Sequence, residues 1–208
     1  MNSKSSTMIA VFTCIAAAAT ANADIVFHDD FESGLGQWTG KNGGIHQGIL
    51  VNDPLGGNNT VLGFRGLASA GDLFTINPIL LDPNQTYRIS FDYLGLAQAK
   101  SRIDDTGGYV GFSVDMPGLH TWKWATGNAS GASDVLIDDG QWNSYQYDFT
   151  AADLGLGNSV RLMVEDFVGS QGRSDDAFFD NFQISTVPTP GAIALLGMGG
   201  LIATRRRR

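Results

Sequence analysis

Only one cysteine occurs in the 208 residues, Cys14, and it lies in an apolar stretch near the N-terminus. Disulfides, thiolate-ligated zinc and a cysteine nucleophile are therefore excluded from everything downstream of that stretch. Glutamate is nearly as scarce: Glu32 and Glu165 stand alone among aspartates, in a chain with 21 acidic and 13 basic residues. No helical period of useful length appears, and no apolar run reaches the roughly 20 residues of an ordinary spanning helix. The three histidines, His28, His46 and His120, are scattered, and no Gly-x-Ser-x-Gly elbow is present.

What is there begins with the two ends. Lys4 precedes an apolar stretch from Met8 to Ala19, and Ala21-Asn22-Ala23 has the small-x-small pattern of a signal peptidase site. Cleavage is expected between Ala23 and Asp24; the alternative is an uncleaved anchor or a buried helix. Val11-Phe12-Thr13 before Cys14 is not a lipobox, which argues against a lipid anchor. At the other end, Val187-Pro188-Thr189-Pro190 predicts an extended linker, because two prolines fix backbone angles and remove amide donors. A short apolar segment follows, from Gly191 to Thr204, and then the cluster Arg205, Arg206, Arg207 and Arg208. Four arginines resist translocation and would hold the tail on the cytoplasmic side, with the body outside.

That order of parts resembles the PEP-CTERM sorting tail of Gram-negative bacteria with exopolysaccharide systems. The resemblance covers Val187 to Arg208, and Pro188-Thr189-Pro190 stands where the usual Pro-Glu-Pro would be. It implies an exosortase-type membrane protease as a partner and a transient inner-membrane anchor. The expected location is the outer face of the envelope or the extracellular matrix. A simple unprocessed tail anchor is the alternative.

Between the ends, Asp24 to Thr186 is long enough for one domain with a proper core. Setting aside Lys4 and the four terminal arginines leaves 8 basic residues against 21 acidic ones, a net charge of −13. Nucleic acid is a poor partner for such a surface, since phosphate binding needs clustered cations.

The domain reads as strand after strand. Tyr87, Ile89, Phe91 and Tyr93 alternate with polar residues, as do Tyr145, Tyr147 and Phe149. Val110, Phe112 and Val114 form a third alternating set and Val160, Leu162 and Val164 a fourth. Further strands are expected at 45–51, 60–64, 72–76 and 177–184, with one helical turn at 151–156. Gly, Asn, Asp and Pro clusters separate them. About ten short strands predict an all-β, two-sheet sandwich, flanked by a signal helix and a short membrane helix.

The domain opens on Asp29-Asp30-Phe31-Glu32-Ser33-Gly34 and Trp38. It closes on Phe178-Phe179-Asp180-Asn181-Phe182-Gln183-Ile184, and Gly140-Gln141-Trp142-Asn143-Ser144-Tyr145 precedes a late strand. This resembles the jelly-roll carbohydrate-binding modules and their galactose-binding-like relatives. The resemblance implies first and last strands side by side, Trp38 and Trp142 in the core, and often a structural calcium ion where those strands meet.

Three groups of residues are candidates for function. Strict alternation would put Asp180 on one face with Phe178, Phe182 and Ile184. A carboxylate among core side chains needs compensation. Calcium bound by Asp30, Glu32 and Asp180 would supply it; hydrogen bonds from loop amides are the alternative. In His120-Thr121-Trp122-Lys123-Trp124, period two puts both tryptophans on one face. With Tyr109, His120 and Asn128, Trp122 and Trp124 would form a platform for extracellular polysaccharide; the alternative is that both are core. Glycosidase chemistry needs two carboxylates across a cleft. Glu165-Asp166 and Asp138-Asp139 point to opposite faces if extended, and the Glu-x-Asp-x-x-Glu signature of jelly-roll glycosidases is absent. The expected function is non-catalytic polysaccharide binding. A purely structural or adhesive surface protein is the second reading and a secreted glycoside hydrolase the third.

Overall fold

The computed structural model describes residues 23–64, 72–96, 107–116, 118–126, 131–167 and 177–188. The expected signal segment up to Asn22, including Ala21, lies outside them, as do Asn128, Pro190 and Arg205 to Arg208. The strands, in chain order, are β1 (Ile25–Asp29), β2 (Trp38–Thr39), β3 (Gly48–Asn52), β4 (Thr60–Phe64), β5 (Leu73–Thr75), β6 (Ile79–Leu80) and β7 (Tyr87–Gly95). After them come β8 (Gly107–Ser113), β9 (His120–Thr126), β10 (Asp134–Leu136), β11 (Trp142–Phe149), β12 (Ser159–Phe167) and β13 (Ala177–Thr186), with the short helix α1 (Ala151–Leu154) before β12. No helix among the described residues is long and apolar enough to cross a membrane.

Two sheets form a β-sandwich of the jelly-roll kind. The first runs β11-β7-β13-β4-β3, with β1 also paired to β13; the second runs β10-β9-β8-β12-β5-β2, with β6 paired to β12. The first and last strands are side by side and antiparallel, His28 facing Gln183 and Asp29 facing Phe182. The chain also leaves the sandwich where it enters: Thr186 N donates to Asp24 O at 2.9 Å, and Asp24 N donates to Thr186 Oγ1 at 2.9 Å.

Alternation decides what fills the space between the sheets. Tyr87, Ile89, Phe91 and Tyr93 point inward from β7, meeting Val110 and Phe112 of β8 and Val160, Leu162 and Val164 of β12. Phe91 is at the centre: its ring stacks on Phe182 at 5.1 Å and meets the edge of Trp124 at 4.9 Å. Each fully buried side chain of this size contributes about 1.5–3 kcal/mol. Polar ties also cross the layer: the Tyr93 hydroxyl donates to Asp138 Oδ1 at 2.7 Å and lies 3.2 Å from Thr126 Oγ1. Burial pushes the Tyr93 hydroxyl pKa well above its ordinary value, so it stays a donor.

The expected helical turn is present. Thr150 and Asp153 cap each other's backbone amides, and Gly155 ends α1 at φ 66°, a conformation glycine adopts without cost. The opening segment turns on Asp29, which is buried. Its carboxylate accepts from Trp38 Nε1 at 2.7 Å and from Phe31 N at 2.9 Å, holding Phe31 at φ 58°. Trp38 is thus in the core as expected. Trp142 is not: it packs with Val61, Leu94 and Phe178 in a separate cluster on the far side of the first sheet.

Candidate functional site

The two tryptophans of β9 do not share a face. Gly111 of β8 faces Trp122, but the adjacent Val110 faces Trp124, so Lys123 is an extra residue in the ladder. A bulge of this kind shifts the alternation by one position. Trp124 consequently points into the core, 3% exposed, while Trp122 points outward with Tyr109 and Ala125. The expected platform keeps three members: Trp122 meets Tyr109 edge-on at 5.2 Å and His120 at 5.7 Å.

A second bulge corrects the placement of Asp180. The β13–β7 register slips between Asp180 and Gln183, and Asn181 takes φ 54°. Phe179, Phe182 and Ile184 face the core, whereas Phe178 belongs to the outer cluster with Trp142. Asp180 therefore shares a side with Phe178, not with Phe182 and Ile184, yet it is only 3% exposed. Amides compensate it: Asn59 Nδ2 donates to Oδ2 at 2.7 Å, Asn181 Nδ2 to Oδ2 at 3.2 Å, and Asn181 N to Oδ1 at 2.8 Å. Burial raises its pKa, those donors oppose the rise, and the charges of Asp92 and Asp30 add to it. Glu32 turns away to accept from Thr60 N at 2.8 Å, and Asp30 accepts from Glu32 N at 3.3 Å. Among the described residues, no group of three or more His, Cys, Asp or Glu side chains is placed to hold a metal ion.

The polar counterparts in the alternating strands build a different site. Across the outer face of the first sheet, His28 faces Gln183, Gln183 faces Ser90, and Ser90 faces Gln146. Neighbouring strands are about 4.8 Å apart, so this row presents polar groups at regular intervals perpendicular to the strands. One row along, Asp92 faces Ser144 and accepts from its Oγ at 2.5 Å and from Asn181 Nδ2 at 2.8 Å. These side chains line an open cavity of about 540 Å³. Trp142, two residues from Ser144 on the same face, is half-buried. Its Nε1 donates to Asp53 Oδ1 at 3.1 Å, anchoring the ring over the Val61–Leu94–Phe178 cluster.

Asp92 is the one carboxylate lining this cavity. Asp180 sits beneath, with both oxygens accepting from amides. The arrangement offers hydroxyl, carboxamide and imidazole groups that both donate and accept. It can recognise a ligand rich in hydroxyl groups. Among the described residues, paired carboxylates of the kind needed for glycoside hydrolysis do not line it.

Elsewhere, Glu165 and Asp166 point to opposite faces of β12, as the sequence predicts. Glu165 faces Tyr109 on the outer side of the second sheet and is 6% exposed. Burial, reinforced by Asp72 and Asp166, pushes its pKa up to about 9, so it is neutral at pH 7. The protonated Glu165 donates a hydrogen bond to Asp72.

No protein-family model matches the sequence, and no curated protein matches it. Among solved structures, the chain is similar to the tandem CBM22-1–CBM22-2 domain of Paenibacillus barcinonensis Xyn10C, at 21% identity and TM-score 0.49, over 83% of this chain and 49% of that one. It spans about half the length of that tandem. It is also similar to the C-terminal family 22 carbohydrate binding module of Clostridium thermocellum Xyn10B, at 14% identity and TM-score 0.48, over 79% of this chain and 96% of that one. A third likeness is to TmCBM61 in complex with β-1,4-galactotriose, at 14% identity and TM-score 0.40, over 76% and 94% of the two chains.

Proposed function

We propose that the chain is a non-catalytic polysaccharide-binding β-sandwich that binds its ligand on the outer face of the first sheet. The observation that carries this is the row His28–Gln183–Ser90–Gln146, with Asp92, Ser144 and Asn181 beside it, lining one open cavity, and Trp142 two residues from Ser144 on the same strand face. A sugar hydroxyl both donates and accepts. Side-chain amides and hydroxyls answer both roles, and an indole packs against the apolar face of a pyranose ring. Export by the N-terminal signal and sorting through Val187, Pro188, Pro190 and the terminal arginines complete the proposal. They place the domain outside the cell, where polysaccharide is met, after an exosortase-type protease acts on the tail.

Affinity gels loaded with soluble xylan, β-glucan and galactan test the binding. We expect retarded migration on at least one, lost in a Gln146→Ala, Gln183→Ala variant whose melting temperature is unchanged. His120 and Trp122, with Trp122 packed on the buried Tyr109, form the rival surface on the second sheet. Loss of retention in Trp122→Ala, with the double variant unaffected, would move the site there. Retention on no gel would favour the structural or adhesive role. For sorting, replacing Arg205 to Arg208 with serine should trap unprocessed protein in cell fractions; unchanged processing would count against an exosortase.

A further inference from the structure

Strand β11 is the edge of its sheet and pairs with β7 alone among the described strands. It separates two cavities. One is the cavity on the outer face; the other, of about 400 Å³, opens beside the edge strands of both sheets. Lys123 and Trp124 of β9, Asp134 and Val135 of β10 and Tyr147 of β11 wall the second one. Ser144, Tyr145 and Gln146 line both. A ligand leaving the first cavity along its polar row therefore crosses β11 and enters the second without meeting another strand.

The second cavity has the features of a sugar seat. Val135, 58% exposed, offers apolar surface, and Tyr147 lines the wall with one face of its ring taken by Lys123. Lys123 is held in place by an ion pair with Asp134 and by Ser133 Oγ at 2.9 Å, with its ammonium 3.9 Å from the Tyr147 ring centroid. That pairing neutralises the lysine within the protein, and it holds the Asp134 carboxyl below its usual range. Among the described residues, no lysine or arginine lines the first cavity, and Asp92 does. Neither cavity thus offers a cation to a uronate or sulfate group, and the surrounding acidic surface repels one.

We propose that one uncharged polysaccharide chain binds across the strands, passing over β11 at Ser144 and Gln146 to fill the outer-face cavity and the Lys123–Tyr147 cavity together. This rests on the binding reading above and adds a second seat, a direction and a charge preference.

Calorimetry with β-1,4-linked gluco-, xylo- and galacto-oligosaccharides, from disaccharide to hexasaccharide, tests it on the full chain. For the series that binds, affinity is expected to rise about tenfold between trisaccharide and hexasaccharide. Val135→Asp, at an exposed position, should abolish that gain and leave trisaccharide affinity intact. Tyr147→Ala is the second variant, with a thermal melt confirming the fold of each. Gln183→Ala should weaken short and long ligands alike. A hexasaccharide that binds no tighter than the trisaccharide, or a gain that survives both variants, overturns the second seat while leaving the first intact. Tighter binding of polygalacturonate than of the neutral series overturns the charge preference. Absence of binding by every oligosaccharide, together with absence of retention on gels, removes the underlying binding reading instead.

Discussion

The outer faces of the two sheets follow the same alternation and end differently. On the first sheet, Ser90, Asp92, Ser144 and Gln146 alternate with core residues and remain open to solvent around a cavity. On the second, the outward positions hold Tyr109, Met163 and Glu165, and all three are buried. Period two therefore says which residues lie opposite the core, and it does not say which of those meet water. Composition carries that second message: serines and glutamines stay wet, while an aromatic ring and a thioether stay covered.

The contrast between Trp124 and Trp122 is the sharpest way to break this picture. Trp124→Ala removes a ring packed against Phe91, Tyr145 and Tyr147 and should cost about 3–5 kcal/mol in urea unfolding. Trp122→Ala should cost clearly less, because its ring is only partly buried and lies outside the main core. Equal losses would mean that both rings belong to the core and that the bulge at Lys123 is wrong.

Next in size, Gln146→Ala with Gln183→Ala on the open face should weaken glycan binding by about tenfold or more, since each removes a hydrogen-bonding pair worth about 1 kcal/mol. The same double change should leave unfolding nearly untouched, whereas an effect on stability without one on binding would reverse the roles of the two faces.

On the covered face, Glu165 gives a pH signature. Its folded pKa of about 9 lies above the ordinary 4.5, so between those values the folded protein keeps a proton that the unfolded chain has released. Stability then falls as pH rises through that window and levels off above it. Glu165→Gln mimics the neutral acid and should raise Tm at pH 8 by about 3 °C or more, with little change at pH 4. A variant as pH-sensitive as the parent would place the titrating group elsewhere.

The smallest effect expected is that of a chelator. With Asn59 and Asn181 donating to Asp180, EDTA should leave Tm where it is. A fall in Tm that Asp180→Asn abolishes would instead support calcium at Asp30, Glu32 and Asp180.

Much of the sandwich was legible because each alternating run is local. Tyr87 to Tyr93, Tyr145 to Phe149 and Val160 to Val164 all face the way their period dictates. The two errors of facing drawn from alternation arise at bulges, where one inserted residue exchanges the sides; the misplacing of Trp142 came from the resemblance, since alternation puts it opposite Tyr145. Asn181 left a trace, since asparagine tolerates positive φ beside an aspartate that accepts its amide. Lys123 between two tryptophans left none. Asp29 was passed over for Asp30 and Glu32, because nothing local reveals which carboxylate of the opening will meet the Trp38 indole. The proposed binding face was illegible for another reason: His28, Ser90, Gln146 and Gln183 are far apart in the chain and meet only through strand order.

Because Asp24 and Thr186 are bonded to each other, any tension applied through the two ends of the domain acts at one point. It would open the β1–β13 pair from that end, one hydrogen bond after another, instead of shearing the whole ladder at once. A domain mounted this way yields early under pulling. A domain held by one end alone carries no such load, and its faces are free to turn toward whatever chain passes.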